Sequence, residues 1–128
     1  MVLVDTTVWI DFFNDSKSPQ VDKLVKIIQD EDIAICGAVE MEALQGIRDE
    51  AQHRAIKDIF DGFIYVATDR STFHYSARIY RTCRKRGITI RKPIDCLISA
   101  VCIENSTFLH HNDRDFLNIA RHFPLQFY

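Results

Sequence analysis

The sequence predicts an α/β fold with three α/β/α layers and a mostly parallel central sheet. Short runs rich in β-branched residues alternate along the chain with longer segments whose apolar residues recur at helical spacing. Strands that alternate with helices are normally joined by crossovers, which makes neighbouring strands parallel and covers both faces of the sheet. A length of 128 residues, without internal repeats or linker-like segments, predicts a single domain over residues 1–128.

The first half of the chain contains two predicted strands, each followed by two predicted helices. Residues 2–4 (VLV) and 33–35 (IAI) are short apolar runs of the kind that forms buried strands. Pro19, a residue favoured in the first turn of a helix, opens a segment whose apolar residues recur every three or four positions. The four predicted helices of this half cover residues 6–13, 19–30, 37–45 and 53–60.

The second half continues the alternation of strands and helices. Residues 63–66 (FIYV) predict a third strand, and residues 71–86 predict a long helix that is capped from residues 69–71 and ends at Gly87. Pro93 stands near the start of the next helix, which places Asp95 in its first turn. Residues 107–110 predict the fourth strand, and a last helix then runs toward Ile119.

The composition is that of a globular protein, with 47% apolar and 27% charged residues. No apolar run approaches the roughly 20 residues that cross a bilayer, and a predicted strand begins directly after Met1, so we expect no membrane segment, no signal peptide and a cytoplasmic location. The four cysteines are scattered without a CxxC pair, which predicts reduced core residues rather than a zinc site or disulfides. A net charge of −2 argues against nucleic-acid binding through a bulk positive field but is compatible with a local basic patch.

Acidic residues recur just beyond the predicted strands. Asp5 directly follows the first strand, Glu42 lies in the helix after the second, and Asp113 follows the fourth. Ligands of parallel sheets bind beyond the carboxyl ends of the strands. Carboxylates that converge there repel one another unless a cation neutralises them, and hard cations such as Mg²⁺ prefer oxygen ligands. The pattern therefore predicts a cation site, although Asp5 taken alone could equally be the N-cap of the following helix.

Four motifs, in order, resemble those of the PIN-domain ribonucleases, and within that family those of the VapC toxins of prokaryotic toxin–antitoxin pairs. They are residues 5–10 (DTTVWI), 42–48 (EALQGIR), 95–100 (DCLISA) and 111–116 (HNDRDF). The resemblance spans essentially the whole chain and implies a PIN-like fold. Two positions depart from the family pattern: Thr7 stands where serine is frequent, and Ala38 where proline is common.

The resemblance also implies a metal-dependent site that hydrolyses RNA phosphodiester bonds. Four acids would hold Mg²⁺ or Mn²⁺, namely Asp5, Glu42, Asp95 and Asp113. Thr7 would support the first carboxylate or its water, and Asp115 would be an accessory acid unless it caps the last helix. Such a site supports in-line attack by a water that the cation activates. Whether Glu42 binds the cation or orients the water, and whether one or two ions bind, stays open.

Positive charge ahead of Asp95 predicts where RNA phosphates would be contacted, without reading of the base sequence. The candidates are Arg84, Lys85, Arg86, Arg91 and Lys92. The same residues could simply be the solvated end of a long helix. His110 is expected to pack into the sheet rather than bind a metal. The resemblance adds two protein partners: a VapB-type antitoxin, whose chain would bind a hydrophobic groove and obstruct the acids, and a second copy of the chain in a homodimer.

Other classes of protein place an aspartate after a first parallel strand. A haloacid-dehalogenase-like metal-dependent phosphatase would need a second aspartate where Thr7 stands, and a receiver domain would need a late lysine, whereas no lysine follows Lys92. Both are disfavoured. A non-catalytic PIN-like module that binds RNA or protein is the remaining alternative, and it would ordinarily lack one or more of the four acids.

Overall fold

Four parallel strands form the central sheet of the protein, whose residues 1–128 are all described by the computed structural model. The strands are β1 (Val2–Val4), β2 (Ile33–Cys36), β3 (Ile64–Val66) and β4 (Phe108–His110). Their order across the sheet is β3-β2-β1-β4, and all three pairings are parallel. In β1, Val2 lies opposite Ile33 on one side and Phe108 on the other. The expected parallel sheet is confirmed.

Seven helices flank the sheet, which completes the expected α/β/α arrangement. They are α1 (Thr6–Phe13), α2 (Pro19–Asp30), α3 (Gly37–Gln45), α4 (Glu50–Asp61), α5 (Arg70–Lys85), α6 (Pro93–Glu104) and α7 (Arg114–Ala120). Helix α4 begins three residues before its predicted start, because the Asp49 carboxylate accepts a hydrogen bond of 2.8 Å from the Gln52 backbone N–H and so caps an earlier turn. None of the helices combines the length and apolar character that crossing a membrane requires.

The core lies on both faces of the sheet, and every residue of β1 and β2 is buried. All four cysteines are buried and unpaired, as expected, and burial raises the pKa of each thiol, which keeps it neutral. Trp9 and Phe60 are fully buried and contact each other edge to face at 5.6 Å between ring centroids. Tyr65 of β3, by contrast, is 58% exposed.

The sheet order creates a crevice beyond the carboxyl ends of β1 and β4. From β1 the chain crosses to β2 and β3 on one side, and it then returns to place β4 on the other side of β1. Such a reversal of strand order is where open α/β sheets bind ligands. The backbone N–H of Asp5 donates to the carbonyl of His110 at 2.9 Å, which holds the two strand ends together. The residues that follow β1 and β4 therefore face one another across this crevice.

Candidate active site

Five carboxylates are positioned around the crevice by four different elements. Asp5 follows β1, Glu42 lies in α3, Asp95 is in the first turn of α6, and Asp113 and Asp115 lie at the start of α7. One oxygen each of Asp95, Asp113 and Asp115 lies within 4.8 Å of the others. Asp5, Asp113 and Glu42 are each close enough to raise the pKa of Asp95. The four acids singled out in the sequence are thus neighbours in the structure.

Asp5 occupies the N-cap position of α1 without capping it. Its backbone is extended, and its carboxylate accepts no capping hydrogen bond from a backbone N–H of the helix. Instead, Asp5 Oδ2 accepts a hydrogen bond of 2.8 Å from the hydroxyl of Thr7. The alternative that Asp5 serves only as a helix cap is therefore wrong. The carboxylate is buried and oriented by Thr7, the residue expected to support it.

Glu42 is oriented by a residue to which the sequence analysis assigned no role. The hydroxyl of Thr6, which is buried, donates to Glu42 Oε1 at 2.8 Å and so links α1 to α3. Successive threonines thus serve two different acids, Thr7 for Asp5 and Thr6 for Glu42. The two consecutive threonines after Asp5 were visible in the sequence, but the sequence did not indicate which distant acid the Thr6 hydroxyl would contact.

Asp95 has the least satisfied carboxylate of the site. The residue is 1% exposed, and its Oδ2 has no hydrogen-bond partner. Burial is the main cause that raises its pKa to about 7; Lys92 lowers the value, while Asp5, Asp113 and Glu42 raise it further. A buried carboxylate oxygen without a partner, surrounded by other carboxylates, is the arrangement that a bound cation would stabilise. The residues present therefore fit a hard divalent cation.

Asp113 and Asp115 differ from the other acids because they already have cationic partners. Asp113 Oδ1 accepts from Arg91 Nη2 at 2.9 Å, and Lys92 Nζ lies 3.8 Å from Asp113 Oδ2. Asp115 is buried, and its Oδ2 accepts from Arg91 twice, from Nε at 3.3 Å and from the backbone N–H at 3.2 Å. Two of the residues expected to contact RNA are thus directed at the acids.

The cap of α7 is Asp113, which corrects the alternative that Asp115 caps this helix. Asp113 Oδ1 accepts from the backbone N–H of Asp115 at 2.9 Å. Asp115 cannot perform this role because it lies within the first turn, where its carboxylate meets Arg91 instead. The remaining basic candidates, Arg84, Lys85 and Arg86, are exposed at the end of α5 and form no ion pair in the structure.

The two histidines beside the site bond to the backbone. His110 is buried at the end of β4, as expected, and its Nε2 lies 2.8 Å from the Gln20 carbonyl, so this nitrogen donates. Nδ1 of His111 accepts from the backbone N–H of Asp113 at 3.0 Å. Burial lowers the pKa of both imidazoles, which favours their neutral forms. The donors that converge on the crevice are therefore carboxylate oxygens.

The chain is similar to known proteins over nearly its whole length. A family model described as the PIN domain matches residues 2–122. Ribonuclease VapC11 of Mycobacterium tuberculosis is 33% identical over 129 residues, an alignment that covers 98% of this chain and 96% of the relative. The VapC ribonuclease Mb1587 of Mycobacterium bovis matches with the same identity and coverage.

Solved structures of low sequence identity share the fold. A structure of VapBC2 from Rickettsia felis, bound to a DNA fragment from its promoter, is 19% identical with a TM-score of 0.76, and covers 100% of this chain and 98% of that chain. VapBC-1 from nontypeable Haemophilus influenzae is 17% identical with a TM-score of 0.75, and covers 100% and 97%. With a family model that matches nearly the whole length and a 33% identical relative that covers 98% of it, the chain belongs to the PIN-domain family and, within it, to the VapC ribonucleases.

Proposed function

We propose that the protein is the toxin of a VapBC-type toxin–antitoxin pair and that it hydrolyses RNA phosphodiester bonds with the help of Mg²⁺ or Mn²⁺. The observation that carries this proposal is the unpartnered, buried Oδ2 of Asp95 among neighbouring carboxylates, in a member of a ribonuclease family. An acid cluster of this kind is costly for the folded protein unless a cation neutralises it.

The cation would be held by Asp5 and Asp95 directly, with Glu42 and Asp113 completing the set. A bound divalent cation supplies Lewis-acid chemistry, since it lowers the pKa of a water and stabilises the charge that develops on the phosphate. The hydroxyl of Thr7 fixes the orientation of the Asp5 carboxylate. Glu42 is held by Thr6 and is less buried than Asp5, and its second oxygen would orient the attacking water.

RNA would approach along the end of α5 and the segment before α6. Arg84, Lys85 and Arg86 are exposed there, and Lys92 adds positive charge beside Asp113. Lysine and arginine in this position contact phosphates and offset the negative potential of the acids, which would otherwise repel the substrate. Binding of RNA should therefore weaken as the salt concentration rises.

The antitoxin would bind a groove between α1, α3 and α4. The groove has a volume of about 410 Å³, and five of its ten lining residues are hydrophobic; its members include Ile10, Phe13, Ala43, Ile47, Ile56 and Arg48. Ala43 adjoins Glu42, and Ile10 belongs to the helix that follows Asp5, so a peptide in the groove would end near the acids. Relatives of the same fold are described as VapBC complexes. Phe73 of α5 and Leu117 of α7, both more than half exposed, would take part in a homodimer.

Cleavage of RNA by the purified protein, freed of any antitoxin, tests the proposal. We expect a structured RNA to be cut in Mg²⁺ or Mn²⁺ and the reaction to stop on addition of EDTA. The variants Asp5→Asn and Asp95→Asn should lose about a hundredfold or more in rate, since each removes a carboxylate from the cation site. Asp58→Asn, an exposed acid of α4, is the matched control and should cleave normally. Cleavage by both site variants at the rate of the control would overturn the proposed site.

The non-catalytic alternative gives a different result in the same experiment. A PIN-like module that only binds RNA would retard the RNA in a gel without producing fragments, with or without divalent cation. Mapping the 5′ ends of the fragments then identifies the bond that is cut.

A further inference from the structure

We propose that Arg91 is an internal counter-ion of the acid cluster, which holds Asp113 and Asp115 in place and competes with a divalent cation for them. The inference rests on the proposed function of the same site. It concerns the state of the site before a cation binds, and it assigns Arg91 a role other than contact with RNA phosphates.

Arg91 contacts two of the three acids whose oxygens lie close enough together to hold a cation. One residue donates three hydrogen bonds to two acids: Nη2 to Asp113, and both Nε and the backbone N–H to Asp115. These two acids, together with Asp95, form the group whose oxygens lie within 4.8 Å of one another. Asp113 Oδ1 and Asp115 Oδ2 therefore already have charged donors. A cation that binds them has to replace the guanidinium.

The backbone holds Arg91 at the site, while more than half of its side chain is exposed to solvent. Arg91 precedes α6 by two residues, and the Asp95 backbone N–H donates to the Lys92 carbonyl at 2.9 Å, so the segment is tied to the start of that helix. The Asp115 side chain is only 4% exposed, whereas the Arg91 side chain is 56% exposed. The arginine thus reaches a buried carboxylate from the solvent side. It can withdraw into water without leaving a buried positive charge behind.

Positive charge is distributed unevenly among the acids. Asp5 and Glu42 accept hydrogen bonds from the neutral hydroxyls of Thr7 and Thr6, which orient them but do not neutralise them. Asp113 and Asp115 instead face a guanidinium, and Lys92 is close by. A first cation is therefore attracted most strongly by Asp5 and Asp95. Binding that also engages Asp113 or Asp115 is weakened by the competition with Arg91.

Calorimetric titration of Mn²⁺ into the antitoxin-free protein, stripped of metal beforehand, tests the inference. Arg91→Gln removes the competing charge, and we expect it to bind Mn²⁺ about tenfold more tightly than the unmodified protein, as the loss of a like charge a few ångströms away implies. Arg114→Gln is the matched control. In the sequence Arg114 stands between Asp113 and Asp115, so the variant also removes one positive charge near these acids, but Arg114 forms no ion pair. It should change the affinity by less than about threefold.

Thermal unfolding supplies a second measurement on the same variants. In EDTA, Arg91→Gln should unfold at a lower temperature because the buried Asp115 carboxylate loses its counter-ion. Saturating Mn²⁺ should remove most of this difference, since the cation takes over the role of the arginine. A purely structural arginine would show the loss in both conditions.

The variant Arg91→Lys keeps the test decisive if Arg91→Gln does not fold. Lysine retains the charge but cannot bridge two carboxylates as a guanidinium does, so Mn²⁺ should bind severalfold more tightly than to the unmodified protein. Unchanged or weaker Mn²⁺ binding by a folded Arg91 variant overturns the inference alone. Failure of the unmodified protein and of every variant to bind Mn²⁺ at millimolar concentration contradicts the proposed cation site as well.

Discussion

At the scale of single residues, the chemistry of the site depends on which carboxylates already have partners. Asp5 and Glu42 accept from neutral hydroxyls, Asp113 and Asp115 accept from arginine, and one oxygen of Asp95 accepts from nothing. Burial and the neighbouring carboxylates raise the pKa of Asp95 to about 7. Asp95 therefore destabilises the cation-free protein most, and it has the most to gain when a cation binds.

The unfavourable ionisation of Asp95 predicts a pH-dependent stability in EDTA. Its folded pKa of about 7 exceeds the ordinary aspartate value of 3.8, so the folded protein binds the Asp95 proton more tightly than the unfolded chain does, and stability is lost as the pH rises through this interval. Asp95→Asn cannot ionise and escapes the loss. From pH 5 to pH 8 the variant should gain up to about 2–3 kcal/mol in the free energy of unfolding relative to the unmodified protein.

Thermal or urea unfolding of the two proteins at both pH values measures this gain. The two proteins share all other titrating groups, so the contributions of these groups to the pH dependence of stability largely cancel in the comparison. An unchanged difference in stability between pH 5 and pH 8 would contradict the assigned cause. Addition of Mn²⁺ at pH 8 should stabilise the unmodified protein more than Asp95→Asn, because only the former has the full set of carboxylates.

Individual roles within the site were only partly predictable from the sequence. Asp5 could be recognised as a candidate from its place after a strand, but only the structure shows that its carboxylate accepts from the Thr7 hydroxyl and from no backbone N–H of α1. Thr6 bonds to an acid that lies 36 positions further along the chain, and Arg91 bonds to two acids that lie 22 and 24 positions further along. Contacts at such separations depend on how the helices pack, and no local pattern encodes them.

At the scale of secondary structure, the site is built from the starts of helices. Asp5 precedes α1, Asp95 lies in the first turn of α6, and Asp113 caps α7. Local signals sufficed to place these helices, because Pro93 marks the start of α6 and the apolar periodicity marks its buried face. The start of α4 was misjudged, since the cap at Asp49 lies before the apolar pattern begins.

The double role of Asp113 gives a prediction that separates capping from catalysis. Its carboxylate caps α7 and also lies in the acid cluster. Asparagine caps helices about as well as aspartate, so Asp113→Asn should retain near-normal stability while losing most RNA cleavage. Asp113→Ala should lose activity and, in addition, about 1–2 kcal/mol in the free energy of unfolding. Urea unfolding and RNA cleavage by both variants make the comparison.

Two outcomes of that comparison would be informative against the assignment. Full cleavage by Asp113→Asn would show that the negative charge is dispensable, and Asp113 would then be a helix cap only. Equal stability of the asparagine and alanine variants would show that the hydrogen bond to the Asp115 backbone contributes little to α7.

At the scale of the whole molecule, the order of the strands brings the acids together. The parallel sheet could be predicted from alternation alone, but the order β3-β2-β1-β4 could not, since nothing local states that β4 pairs with β1. That pairing places the residues after β4 beside Asp5. Hydrophobic periodicity could not show that four particular acids meet at one site. The resemblance to a family of known fold indicated it.

The groove between α1, α3 and α4 predicts that toxicity and neutralisation can be separated by mutation. Expression of the protein alone should arrest the growth of a bacterial host, Asp95→Asn should not, and co-expression of the neighbouring antitoxin gene should relieve the arrest. Ile47 lines the groove, and none of the five acids of the site is among the residues that line it. Ile47→Arg places a charge in an apolar surface and should weaken antitoxin binding by about tenfold to a hundredfold while leaving RNA cleavage intact.

Ile28→Arg is the matched control for this variant, because Ile28 is an exposed isoleucine of α2 outside the groove. A host that expresses Ile47→Arg together with the antitoxin should stop growing, whereas one that expresses Ile28→Arg with the antitoxin should grow. Co-purification of the antitoxin with each tagged toxin tests the binding directly. If the antitoxin neutralised Ile47→Arg to the same extent as the control, it would have to bind another surface. It would then have to reach and obstruct the acids without passing along α3.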